Sequence, residues 1–403
     1  MLEITTSASE RDHSLDAVRL TKTEKMASRR PLLVCFKWLR ATITGTLGCS
    51  LTCVLLLAGA VNALDPNVRI TQYLHSSRRI QDGSAPASMF SITQTSDGFL
   101  WFSSPPNQGI YRFDGVQFLP WSVAAKGGSG TTILNVFGDR AGGLWAIGDS
   151  EIVHIKNGAV ISRFQLEGFE PHTSTFEDAD GSVWVVRGKN AVSDAPLCHV
   201  TDREVKCFGK SYGMPIAPAD ALLSDGKGGF WVGGHTALVH WRGGVSQVYP
   251  IEGLRTNAGG NGISSLARGP DGSFWVGIEG EGQGRGLGQF KEGAFRPFVT
   301  PTFDGSKVGV SDLAFDRDGN LWVGTLGKGL LRIHGNVVEH YGKADGLSGD
   351  LVFAVFEDRE GIVWAATSHG IDSFRDARII TFSAEDGLGR DAVAGVLATR
   401  DGI

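Results

Sequence analysis

Several residues that could contact a small molecule sit in loop-like, glycine-punctuated stretches. One stretch carries Arg187, Lys189, Asn190 and Asp194, another carries Glu279, Glu281 and Arg285, and His235, Lys328 and His369 occur singly. Their mixed charge and hydrogen-bonding capacity would suit a polar ligand such as a glycan fragment. Ordinary solvated loops carry the same residue types. Motifs for catalysis are missing. Gly209-Lys210-Ser211 has Glu204 where a phosphate-binding loop needs glycine, and Gly280 to Gly286 alternates glycines at the wrong spacing for a dinucleotide fingerprint. There is no H-E-x-x-H and no C-x-x-C, and His199 beside Cys198 does not make a metal site. No catalytic residue, metal or cofactor is therefore expected. The loop residues can act together only if the elements between them bring the loops to one place.

Those elements repeat. Asp318-Gly319-Asn320-Leu321-Trp322-Val323-Gly324 is a sharp turn followed by a short apolar strand, and it recurs at Asp97–Ser103 and Asp271–Gly277. Weaker copies centre on Trp145, Trp184, Trp231 and Trp364, so that Trp101, Trp145, Trp184, Trp231, Trp275, Trp322 and Trp364 are separated by 44, 39, 47, 44, 47 and 42 residues. A period near 44 built of short strands marks a β-propeller with four-stranded blades. The fold class is all-β, with seven blades and eight as the alternative.

Aligning on the Trp places a first strand nine residues upstream, at Ile92, Val136, Thr175, Leu222, Leu266, Leu313 and Val355. A third strand follows at Phe113, Ile155, Val200, Trp241, Phe290, Ile333 and Phe374, and a fourth carries Gly115–Phe118, Val160-Ile161, Val245–Val248 and Val337-Val338. A single blade cannot bury both its faces, so the seven Trp residues are expected to pack between blades. Replacing one by Ala should cost about 3–5 kcal/mol. In a propeller the second-to-third and fourth-to-first loops share one face. That face would gather Arg187, Lys189, His235, Glu279, Glu281, Arg285, Lys328 and His369 as a ligand-binding surface. Val68–Tyr73 reads as a fourth strand that completes the last blade from the N-terminal side. Val393–Ile403 reads as the start of a further repeat, so the propeller sequence is taken to be incomplete.

The first 28 residues are polar and aperiodic and are read as disordered or as a mis-called start, because Met26 opens a better signal. Arg29, Arg30, Lys37 and Arg40 precede an apolar run from Ala41 to Ala60, and Val61-Asn62-Ala63 fits a small-residue cleavage site. Residues 29–63 are read as a signal peptide cleaved after Ala63, with an uncleaved signal anchor as the alternative. Either way residues 64–403 are exported. Residues 1–63 hold 8 Lys+Arg and 5 Asp+Glu, leaving 30 basic and 38 acidic residues and a net charge of −8 in the remainder. That balance argues against a nucleic-acid partner. Of five Cys, three lie in the leader. Cys198 and Cys207 flank a two-residue turn at Asp202-Arg203 and face each other at a non-hydrogen-bonded position, where side chains are closest. A disulfide and a pair of free thiols both fit there.

The repeats resemble those of the two-component regulator propeller family. The matching text is Ile92 to Trp101, Gly109 to Phe118, Gly324-Thr325 with Gly329–Arg332, Asp345-Gly346-Leu347 and Asp386-Gly387-Leu388. Ala141-Gly142-Gly143 and Lys227-Gly228-Gly229 depart from its Asp-Gly turn, and Thr175 replaces an apolar residue. The resemblance implies the extracytoplasmic sensor of a bacterial two-component protein at the periplasmic face of the inner membrane. It further implies signal transduction to membrane and histidine kinase regions of the same protein. An exported lyase or glycoside hydrolase and a protein-binding scaffold are the alternatives.

Overall fold

The computed structural model describes residues 64–66, 68–105, 109–121, 132–169, 174–188, 195–254 and 262–377. All of them lie in the compact unit Ala58–Thr381; a second unit, Met1–Leu57 with Phe382–Ile403, falls outside the described residues. The leader, Lys189, Asn190, Asp194 and the partial repeat at 393–403 are likewise outside them.

The described chain is a seven-bladed β-propeller, each blade a four-stranded antiparallel meander. Blade 1 runs through Ser91–Gln94, Leu100–Ser104, Gly109–Phe113 and Phe118–Trp121, and blade 2 through Ile133–Gly138, Leu144–Gly148, Glu151–Lys156 and Ala159–Gln165. Blade 3 is Thr175–Glu177, Val183–Val186, Leu197–Val200 and Val205–Phe208; blade 4 is Ala219–Ser224, Phe230–Gly234, Ala237–Arg242 and Val245–Pro250. Blade 5 is Ile263–Arg268, Phe274–Ile278, Leu287–Lys291 and Ala294–Pro297; blade 6 is Val310–Phe315, Leu321–Thr325, Leu330–His334 and Val337–Tyr341. Blade 7 takes three strands from Val352–Glu357, Val363–Thr367 and Gly370–Arg375, and its outermost strand, Leu74–Arg79, from the N-terminal side. The ring thus closes by pairing the two ends of the repeat array, as the repeat pattern implied, but with a different stretch. Val68–Tyr73 is not that strand. Ile70–Gln72 forms a 3-10 turn whose Ile70, with Tyr73, is buried between blades 6 and 7, and the strand starts one residue later. In blade 1, Gly115 has φ +96° and belongs to the hairpin turn, so the fourth strand begins only at Phe118.

The second strand is buried at every residue in blades 1, 2, 5, 6 and 7, because each face meets a neighbouring blade. It follows a tight turn whose glycine lies three residues before each Trp. Gly98, Gly142, Gly181, Gly228, Gly272, Gly319 and Gly361 all have φ between +79° and +88°. Only glycine takes that conformation without strain, so glycine persists in all seven blades where the preceding Asp does not.

Seven buried clusters correspond to the seven junctions between blades, and each holds one repeat Trp from the earlier blade of the pair. Trp101, Trp145, Trp184, Trp231, Trp275, Trp322 and Trp364 fill junctions 1/2 to 7/1 in that order. Arginines stitch three junctions at the turn edge. Arg140 of blade 2 reaches Glu177, Arg317 of blade 6 reaches Glu357, and Arg359 of blade 7 donates from its backbone to Gln94 and from its guanidinium to Ser96 O of blade 1. Cys198 and Cys207 pair across the outer hairpin of blade 3 and are joined by a disulfide.

Candidate functional site: the loop face

At the loop face the basic residues act mainly as pins. Arg187 is buried, and its guanidinium donates to Glu167 O on the crossover entering its own blade. Arg285 Nε donates to Gly253 O at 2.6 Å, the equivalent crossover of blade 5. Lys328 Nζ donates to Lys307 O on the crossover into blade 6. Crossovers lack ladder partners, so a side-chain donor satisfies their carbonyls. Burial lowers the basicity of the Arg187 guanidinium, and the charge of Glu167 partly restores it.

What remains for a ligand is more acidic than the sequence implied. Glu281 Oε1 lies 2.9 Å from Lys328 Nζ, an exposed pair bridging blades 5 and 6. His235 Nε2 is 2.5 Å from Asp220 Oδ2. Asp220 occupies the irregular step in the first strand of blade 4, between Ala219 and Ala221. Being eleven residues ahead of the repeat Trp231, it has no counterpart Asp in the other described blades, and the sequence offered no signal for it. His369 Nδ1 is 2.7 Å from Ser368 Oγ, and Glu279 joins the face through its backbone N–H to Gly262 O. Lys189 lies outside the described residues. The loop-face residues come from blades 3, 4, 5, 6 and 7, and the structure pairs Glu281 with Lys328 and His235 with Asp220.

The opposite, turn edge holds the aspartate that sequence reasoning passed over. The repeated Asp four residues before the Trp is exposed in blades 1, 3 and 5. Six residues before it stands a more enclosed one: Asp139, Asp316 and Asp358 are buried, and Asp178 and Asp225 are half-buried. Asp316 accepts from the Trp322 indole at 2.7 Å and from Asn320 N at 2.8 Å; Asp358 accepts from the Trp364 indole at 2.7 Å and Ile362 N at 2.8 Å. Burial pushes the Asp358 carboxyl above its ordinary range. In blades 2 and 4 a histidine takes the place of the indole donor. His154 and His240 stack on Trp145 and Trp231 at 4.0 and 4.5 Å and bond Asp139 and Asp225 at 2.7 and 2.9 Å. Burial opposes ionisation of Asp225, but hydrogen bonds from His240, Gly229, Lys227 and Arg242 outweigh it and hold the carboxyl far below the usual range. The second nitrogen of His154 meets Asp202 of blade 3 at 2.6 Å, tying the disulfide hairpin to blade 2. These groups are consumed by structure.

A cleft of about 720 Å³ opens along the seam of blades 5 and 6, lined by Asp271, Lys291, Arg296, Phe298, His334 and Asn336 among others. Its volume is in the range that accepts a small molecule. Among the described residues no three His, Cys, Asp or Glu side chains converge to hold a metal ion, and no helix is long and apolar enough to cross a membrane.

Residues 304–327 match the two component regulator propeller family. They span the crossover into blade 6, its first strand, the Asp316–Gly319 turn and the Trp322 strand. No curated protein matches the sequence. Solved structures share the fold. The extracellular domain of the hybrid two component system BT3049 from B. thetaiotaomicron aligns with TM-score 0.59 at 16% identity, over 76% of this chain and 42% of that one. The corresponding domain of BT4673 from the same organism gives 0.59 at 18%, over 79% and 42%. This chain therefore spans about two-fifths of the length of either domain. Virginiamycin B lyase from Staphylococcus aureus gives 0.56 at 14%, over 76% and 100%.

Proposed function

We propose that this chain, which carries the two component regulator propeller repeat, is the extracytoplasmic ligand-sensing propeller of a bacterial two-component signalling protein. In this reading it is exported to the periplasmic side of the inner membrane and feeds membrane and histidine kinase regions of the same protein. The observation that supports it best is the family match at 304–327, within a ring whose fold is that of extracellular two-component domains. The loop face is the sensing surface. A polar ligand such as a glycan fragment would compete for Lys328 and Glu281, which bridge blades 5 and 6 while Lys328 also pins a crossover. Displacing that pair converts ligand binding into a change at one blade junction, a route for passing a signal on. Thermal-shift screening with glycan fragments tests the surface. The wild type is compared with Glu281→Ala/Lys328→Ala and with Lys291→Ala/Arg296→Ala in the seam cleft. Loss of the ligand shift only in the first variant supports the loop face. Loss only in the second, or equal shifts in all three, refutes it.

A second reading, an exported propeller enzyme, has two observations in its favour. The His235–Asp220 pair on the loop face has the geometry of an oriented general base, and a lyase shares the fold. That reading requires turnover of an added substrate that His235→Ala abolishes. Binding without turnover refutes it.

A further inference from the structure

Leu64 is held more firmly than a segment lying outside any blade requires. Its side chain is fully buried in the cluster of Trp322, Tyr341 and Phe374 between blades 6 and 7. Its backbone nitrogen donates to Asp318 Oδ2 at 2.7 Å. The next nitrogen, of Asp65, donates to Asp376 Oδ1 at 3.1 Å, and the Tyr73 hydroxyl donates to Asp65 O at 2.8 Å. Polypeptide ahead of a first strand normally frays; here it is tied at consecutive residues.

The corner is acidic. Asp318 comes from the turn of blade 6, Asp376 from the end of the third strand of blade 7, and Asp65 from the segment itself. Burial, with the charges of Asp65 and Asp318, pushes the Asp376 carboxyl above its ordinary range. Arg332 is already committed to Glu339, the Tyr73 hydroxyl and Val68 O. A neutral amide at Leu64 brings one donor and no charge to this corner. An α-ammonium keeps the donor to the Asp318 carboxylate and adds a positive charge, which turns the bond into an ion pair. Val61-Asn62-Ala63, with its small residues, immediately precedes Leu64.

We infer that Leu64 is the first residue of the mature chain and that Asp318 is the built-in receptor for its α-ammonium. The step is hydrolysis of the Ala63–Leu64 amide by a leader peptidase. Water adds its oxygen to the Ala63 carbonyl carbon, the C–N bond breaks, and the products are the Ala63 carboxylate and the protonated Leu64 amine. The new terminus locks the entering segment against blades 6 and 7 just ahead of Leu74–Arg79, the strand that closes the ring. The inference rests on the export half of the functional reading.

Two measurements test it. The full chain is produced with its own leader in a Gram-negative host, and the N-terminus of the recovered protein is sequenced; Leu-Asp-Pro-Asn is expected. An exported protein that begins elsewhere or keeps the leader overturns the inference and leaves export standing. A cytoplasmic, uncut protein overturns export as well. Separately, Leu64–Ile403 is prepared by traceless removal of a fusion partner and compared with the same chain carrying a Gly-Ser extension. The extension keeps the Leu64 N–H and moves the charge away. The free terminus should melt about 2 °C higher, and Asp318→Asn should abolish the difference. Equal melting of the two forms, or a difference that survives Asp318→Asn, overturns the inference.

Discussion

Asp316→Ala should be among the most damaging single substitutions at the turn edge, although a reading of the repeat alone points to a different aspartate. The Asp316 carboxylate accepts from Asn320 N and Asn320 Nδ2 at 2.8 Å, from Asp318 N at 3.1 Å and from the Trp322 indole at 2.7 Å. Asp316, Asn320 and Trp322 are all buried. A hydrogen bond to a charged group contributes about 1.5–3 kcal/mol, and a buried donor left without a partner loses its full desolvation cost. Removing the carboxylate strands the indole N–H and the Asn320 backbone and side-chain amides, all of which donate to it. We therefore expect a loss of about 3–5 kcal/mol, comparable with a core truncation. Asp271→Ala is the control. Asp271 belongs to the repeated Asp-Gly but is exposed and accepts only from Ser273, at 2.9 and 2.6 Å. Its loss should cost about 0.5 kcal/mol. Urea unfolding followed by Trp fluorescence gives both values from the shift in midpoint at constant slope. If the two variants shift the midpoint equally, or if Asp316→Ala costs less than about 1 kcal/mol, the assignment of the inner aspartate as the anchor of the indole is wrong.

Two further outcomes follow. Cys198 and Cys207 close a loop with a sequence separation of 9. Cys198→Ser/Cys207→Ser should lose about 2–3 kcal/mol by the chain-entropy relation, and a reductant should lower the melting temperature of the wild type but not of the variant. Asp225 has a carboxyl depressed in the folded state, so its contribution is present above the unfolded-state pKa of about 4 and is lost as pH falls through the folded value. The gap between the urea midpoints of wild type and Asp225→Asn should shrink as the pH falls from about 5 toward 3. A gap that stays constant down to pH 3 would rule out ionised Asp225 as its source.

The fold was legible because it is written many times. A Trp near every 44th residue, an apolar residue nine before it and a glycine three before it encode a strand, a turn and a strand wherever they occur. Repetition lets weak local signals add, so the blade repeat, its first strands and its third strands could be read directly, and the disulfide hairpin register could be counted from one turn; seven blades rather than eight followed only from the pairing of Leu74–Arg79 with Gly370–Arg375. The closing strand was misplaced because it has no repeat partner. Burial of Ile70 and Tyr73 in the junction of blades 6 and 7 decides where it begins.

The loop face was much less legible, since charge and loop position say nothing of where a side chain is spent. Arg187 and Arg285 read as ligand donors but satisfy crossover carbonyls. Asp220 pairs with His235 only because an irregular strand in blade 4 brings it there. Both of two aspartates two residues apart recur along the sequence, and only the tertiary structure tells them apart: in blades 6 and 7 the one that opens the turn accepts from the indole, while the one two residues later lies toward solvent in blades 1, 3 and 5. Local periodicity therefore dictated the strands and the turns that join them. Which polar groups are structural and which are left to meet a ligand depended on contacts between blades, and those belong to no single repeat.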